Sequence, residues 1–226
     1  MKTTIDYLFR SFMLIALVGG CSTTYEPRLI LPPAALNRSI DANVEVHPFI
    51  ASEDLLSGHS TYGLVAEDYV NRPPSQLTQA LTDQVVAELS AQQVFRKVST
   101  YDPQPDLMLT GRIDQFFEHD RRKIWTFVPY YSDKLASLFR VNTYTTNGEI
   151  QITMMLLKPS GELVGSYAGR SKFGEDYTPN NEVRPGDRLN RALGKALAQI
   201  RDEMLSDETL PKTRKPALQP AIAPSP

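Results

Sequence analysis

The chain is poor in the residues that most often carry chemistry: 226 residues hold one cysteine, one tryptophan and three histidines. A single thiol excludes an internal disulfide, so a folded part must rest on its hydrophobic core. His47, His59 and His119 lie far apart and match no zinc spacing, so no metal is expected. Charge of one sign is lacking as well. With 24 Lys and Arg against 26 Asp and Glu, the net charge is −2, which gives no electrostatic footprint for nucleic acid. No apolar run reaches the roughly 20 residues that span a bilayer. No glycine-rich phosphate loop precedes a helix, and Gly58-His59-Ser60-Thr61-Tyr62-Gly63 lacks the spacing of a hydrolase nucleophile elbow. Neither a catalytic residue nor a cofactor is expected, and the chain reads as a non-enzyme.

What is present begins near the amino terminus. Phe12-Met13-Leu14-Ile15-Ala16-Leu17-Val18 is followed by Gly19, Gly20 and Cys21, with Lys2 and Arg10 ahead of the apolar run. The run has the length of a signal-peptide core, and small residues before Cys21 suit entry into a peptidase groove. Val18-Gly19-Gly20-Cys21 resembles the lipobox of bacterial lipoproteins. The resemblance implies a signal peptide over residues 1–20 and a diacylglycerol thioether on Cys21, followed by acylation, often palmitate, of its amino group. Two or more acyl chains, at about 0.8 kcal/mol per buried methylene, make a stable membrane anchor. Ser22 stands where an aspartate often marks inner-membrane retention in that family. The resemblance therefore implies the outer membrane, facing the periplasm.

From Ser22 to Asn43 the chain is polar and contains Pro27, Pro32 and Pro33, so residues 21–43 read as a lipidated tether. Leu29, Ile30 and Leu31 offer an alternative in which this segment lies along the domain. Val44 and Val46 alternate with Glu45 and His47 as a strand that ends at Pro48. Residues 51–74 read as a loop that could hold a short strand at Tyr62–Val65. Leu77, Leu81, Val85 and Leu89 then repeat at four-residue steps, predicting an amphipathic helix with Ser75 as its N-cap. Val94–Val98 is a short strand, and Asp102–Asp106 is a turn. Leu107–Phe117 is a long strand with Leu107, Leu109, Ile113 and Phe117 on one face. Gly111 interrupts that face, which predicts a bulge or close packing. Gly148–Leu157 and Leu163–Phe173 form a hairpin about Pro159-Ser160-Gly161-Glu162. Asp187 then caps a second helix with Leu189, Leu193, Leu197, Ile200 and Met204 as its apolar stripe. The Pro/Ala-rich residues 207–226 read as a disordered tail.

These patterns predict one α+β domain over residues 44–206. It is a two-layer sandwich with a mostly antiparallel sheet and two amphipathic helices on one face. The helix Ser75–Gln93, followed by Val94-Phe95 and Pro105-Asp106-Leu107-Met108-Leu109-Thr110-Gly111-Arg112-Ile113, resembles a broad set of envelope proteins. That set contains the amino-terminal domain of TolB, the curli secretion-channel lipoprotein, and the auxiliary lipoproteins of lipid-transport ABC systems. The resemblance spans about Val44 to Met204 and implies fold rather than function.

The sharpest candidate binding residues are Trp125, Phe127, Tyr130 and Tyr131, with Arg121-Arg122-Lys123 just before them. Aromatics beside basic residues suit a protein contact or a membrane interface; they also suit cover for a sheet edge. The function expected is a non-enzymatic, lipid-anchored accessory or assembly factor of the cell envelope. It would hold the membrane through acyl chains on Cys21 and bind an envelope protein partner through the sheet edge or the aromatic loop. An oligomeric secretion-channel-like lipoprotein and a lipid-transport auxiliary protein are the alternatives.

Overall fold

The alternating stretches come together as one mixed sheet. The computed structural model of the chain describes residues 27–29, 31–32, 34, 37–52, 66–68, 74–122, 142, 144–177 and 186–214. Among the described residues, eight strands are β1 (Arg38–Val46), β2 (Ile50–Ala51), β3 (Ala66–Asp68), β4 (Phe95–Ser99), β5 (Leu107–Arg122), β6 (Tyr144–Leu157), β7 (Leu163–Tyr177) and β8 (Lys212–Arg214). Two helices, α1 (Pro74–Ala91) and α2 (Asp187–Ser206), pack on them. The main path is β4-β1-β5-β6-β7, with β2 and β3 added to β5 and β8 to β1.

The α+β architecture agrees with the patterning, and the sheet is more mixed than the hairpins alone suggested. β5–β6 and β6–β7 are antiparallel, but β1 runs parallel to both β4 and β5, and β2 parallel to β5. Helix α1 lies in the crossover from β1 to β4, the connection that parallel neighbours need. β5 begins opposite Val44, level with the end of β4, where Ser99 lies opposite Glu45. The short link between them therefore needs no return path. It is tied to β1 by Asp106 N–H to Asn43 O (3.0 Å), Asn43 N–H to Asp106 Oδ2 (2.8 Å) and Asp102 N–H to Glu45 Oε2 (3.3 Å). Lys97 pairs with Asp102 at 2.7 Å, and its hydrogen bond holds the Asp102 carboxyl below the usual carboxylate range.

The stripes of both helices meet the inner face of the sheet in one core. Leu81 and Val85 of α1, with Leu189, Leu193 and Ile200 of α2, join Ile40, Val44, Ile150 and Ile152 there. The opposite face carries polar pairs: Arg112–Asp114 (2.6 Å) within β5, and Thr153–Asp114 (2.8 Å) and Arg170–Glu149 (2.5 Å) across strands. The Gly111 expectation resolves as close packing: a Cβ there would stand 2.5 Å from the ring of Phe49. A bulge does occur in β5, between Ile113 and Gln115. It shifts the alternation by one, so Phe116 enters the core at 3% exposure and Phe117, expected inside, turns to the other face.

Helix starts differ from expectation by a residue. Pro74 is the first residue of α1, where its missing N–H costs nothing, and Ser75 lies inside the helix. The N-cap of α2 is Gly186, whose φ of 88° suits glycine, so Asp187 is the first helical residue rather than the cap. The fold also reaches beyond both expected ends. Ile40 and Ala42 extend β1 towards the amino terminus with buried side chains. Residues 207–214, read from composition as tail, are ordered: Leu210 is buried and β8 pairs with β1.

Asp207 shows why the chain stays ordered there. The Tyr167 hydroxyl donates to Asp207 Oδ2 at 2.5 Å, and Thr209 donates to Oδ1 from its backbone (2.9 Å) and hydroxyl (2.7 Å). These bonds, Tyr167 first, hold the Asp207 carboxyl below its usual pKa, while burial and Asp207 push the Tyr167 phenol upward. A depressed carboxylate pKa stabilises the fold above the unfolded value and loses that contribution as pH falls through the folded one. Tyr167→Phe is therefore expected to cost about 1 kcal/mol at pH 7. The difference from wild type should narrow below about pH 4, as Asp207 takes up its proton. Urea titrations of both proteins at neutral and acid pH check this, and an equal difference at both would contradict it.

Candidate functional site

One end of the sheet gathers the features that the core does not require. β5 and β6 stay paired to the register Arg122–Tyr144, and β6 and β7 to Tyr144–Tyr177. At the same end β3 joins β5, with Asp68 opposite His119 and Ala66 opposite Arg121. The amino terminus of α2 closes the group. Arg188, with a side chain 3% exposed, lies 4.7 Å from the ring centroid of Tyr177, and Tyr177 stacks on Tyr144 at 5.4 Å. Arg188 also meets Glu175 (3.1 Å) and Glu118 (3.6 Å). Glu118 is 1% exposed, and the Thr146 hydroxyl lies 3.5 Å from its Oε1. Arginine stacks on an aromatic face while bonding carboxylates in its plane, so the one side chain ties together β5, β7 and α2.

A second feature runs into this end along the helices. Residues 27–29 and 31–32 lie as a strap between α1 and α2. Arg28 N–H donates to Asn190 Oδ1 (2.9 Å), and Leu29 N–H donates to Gln84 Oε1 (3.1 Å). Leu31 O accepts from Gln92 Nε2 (3.1 Å), and Pro32 O accepts from the buried guanidinium of Arg201. Arg201 also binds Gln92 Oε1 (2.6 Å) and pairs with Asp202 (2.8 Å). Between these bonds Leu29 and Leu31 are buried at 4% and 6% exposure, against Val85, Leu89, Leu197, Ile200 and Met204. Of the two readings open for this segment, the one in which it lies along the domain is the one observed. Side chains of α1 and α2, with Gln92 just past the end of α1, satisfy the strap's backbone groups, as buried backbone requires.

The candidate residues read from sequence fall elsewhere. Cys21, Trp125, Phe127, Tyr130 and Tyr131 lie outside the described residues, as does the short strand expected at Tyr62–Val65. What the structure does place are the residues that flank the aromatic segment: Arg122 and Tyr144 pair with each other at the Arg188 end. Among the described residues, no three His, Cys, Asp or Glu side chains gather as a metal site, and no helix is long and apolar enough to cross a membrane.

Sequence reasoning passed over Glu118, Arg188, Arg201, Gln84 and Gln92. A signal was available for the arginines. Arg188 stands four residues before Ala192 and Arg201 four after Leu197, so both fall on the edge of the apolar stripe.

A mixed sheet beneath two helices, with a strap seated between them, defines the class as an α+β sandwich. No protein-family model matches the chain, and no curated protein sequence matches it. Among solved structures it is similar to protein XCC0632 from Xanthomonas campestris, of the DUF330 family. That match has 16% identity over 81% of this chain and 92% of the other, with a TM-score of 0.45. An uncharacterized protein matches at 15% identity over 80% of this chain and 97% of its own, with a TM-score of 0.39. A "putative lipoprotein" from Caulobacter crescentus CB15 matches at 14% identity over 47% of this chain and 70% of its own, with a TM-score of 0.28.

Proposed function

We propose that this protein is a lipid-anchored accessory factor of the cell envelope, acylated on Cys21, held at the outer membrane and facing the periplasm. It works by binding an envelope protein rather than by turning over a substrate. The observation that carries the reading is the continuity from lipobox to fold. Leu29 and Leu31, eight and ten positions after Cys21, are buried in the domain, and Gln92 and Arg201 bond the backbone of Leu31 and Pro32, so an anchored cysteine would hold a rigid body at the membrane surface. The partner-binding residues we assign are Trp125, Phe127, Tyr130 and Tyr131, aromatics of the kind that dominate protein interfaces.

Metabolic labelling with palmitate tests the anchor: the wild-type chain is expected to incorporate label and sediment with outer membranes. Cys21→Ser should lose both; a variant that stays with the membrane and functions normally would overturn the reading. A photo-crosslinking residue at Tyr130 tests the partner, with one discrete envelope-protein adduct expected and none counting against it.

A further inference from the structure

We infer that the Arg188 end of the domain, where β5, β6 and β7 finish beside the start of α2, is the face turned to the bilayer. This deepens the proposed function and rests on the acylation of Cys21.

The argument is one of direction and reach. The strap passes Asn190 near the start of α2 and reaches Arg201 near its end. Traced back from Pro32 to Pro27, the chain therefore travels toward the amino terminus of α2. That terminus is the Arg188 end, since Arg188 contacts Tyr177 and Glu118. Pro27 lies six positions after Cys21, a span of at most about 20 Å for a fully extended chain. The 14-residue β6 carries the sheet away from this end, over about 45 Å at roughly 3.3 Å per residue. Its far end is the turn Pro159–Gly161. An anchor that leaves the groove toward the Arg188 end on so short a lead keeps that end against the membrane and the turn far from it.

The chemistry of this end suits a lipid surface. Arg28, Arg121 and Arg191 are exposed there, among exposed Glu175, Asp176 and Asp187. Exposed arginines are drawn to lipid phosphates and to anionic headgroups.

The test uses the full-length lipidated protein, whose sole native cysteine is then blocked by acylation. Arg191→Cys and Ser160→Cys each provide one free thiol at opposite ends, and each is labelled with a fluorophore. The proteins are reconstituted into phosphatidylethanolamine–phosphatidylglycerol vesicles doped with a headgroup-nitroxide lipid. Quenching is expected to be several-fold stronger at position 191 than at position 160. Equal quenching, as when the Arg188 end stands clear of the bilayer to meet a protein, or stronger quenching at 160, overturns the inference. Flotation with the vesicles is scored first. Protein that carries no acyl chain and does not float overturns the anchor reading and this inference together, whereas protein that floats with the pattern inverted overturns this inference alone.

Discussion

Replacing Gly169 by valine is expected to unseat α2 from the sheet. A Cβ at Gly169 would stand 2.0 Å from the backbone oxygen of Ala196 and 2.7 Å from its carbonyl carbon. Neither atom belongs to a movable side chain, so the helix axis itself must shift. The shift would spread, because Leu193, Leu197 and Ile200 of the same helix are buried in the core. Arg170 N–H, one residue on, donates to Gln199 Oε1 across the same contact (2.9 Å). Overpacking of a filled core typically costs 1–3 kcal/mol and occasionally more, and a clash with backbone belongs at or beyond about 3 kcal/mol. Gly174 on the same strand is the control: a Cβ there meets nothing nearer than Thr146 O at 3.9 Å. Gly174→Ala should leave stability unchanged or raise it by a few tenths of a kcal/mol, through the lower entropy of the unfolded chain. Urea denaturation of the two variants separates the cases; a Gly169→Val midpoint equal to wild type would refute the packing argument.

The contact at Gly169 also shows what the sequence could and could not convey. Ile150, Ile152, Met154 and Leu156 alternate along β6 and all four are buried, because a strand buried on one face writes its register directly into its residues. The stripes of α1 and α2 were legible for the same reason at helical spacing. The bulge in β5 was not. One extra residue near Asp114 leaves the composition of the strand unchanged and still moves Phe116 and Phe117 to opposite faces. The parallel pairing of β1 with β4 and β5 was equally hidden, because alternation fixes a strand's face and not its neighbour's direction. The strap was half legible. Leu29 and Leu31 announce apolar contact, but the backbone bonds that seat them come from Gln84, Gln92, Asn190 and Arg201, at sequence separations between 55 and 169. No local pattern reports a polar side chain that serves a distant backbone. The same limit hid the Arg188 cluster, whose members come from β5, β7 and α2 and meet only after the sheet has formed.

Arg188→Met is expected to be among the costliest single changes in the protein. It removes the cation from Glu118, a carboxylate with 1% exposure, and takes the stacked guanidinium off Tyr177. Taking one partner from a buried ion pair typically costs 3–5 kcal/mol, because the remaining buried charge loses that countercharge. Glu118→Gln is expected to cost less, since Arg188 keeps Glu175 at 3.1 Å and the ring of Tyr177 at 4.7 Å. The two changes together should be less damaging than Arg188→Met alone, because a neutral amide needs no cation; a double variant at or below the stability of Arg188→Met would show that packing, not charge, sets the cost. The same variants separate stability from orientation. Arg188 joins the ends of β5 and β7 to the start of α2, so Arg188→Met should loosen this end before the rest. Amide exchange is then expected to speed up first in residues 118–122 and 144–147, while Ile152 and Met154, deep in the sheet, keep their protection until global unfolding. Such localised opening would mark Arg188 as the clasp that keeps the residues flanking the aromatic segment rigid. Uniform acceleration across β6 would instead make it one more contributor to the core.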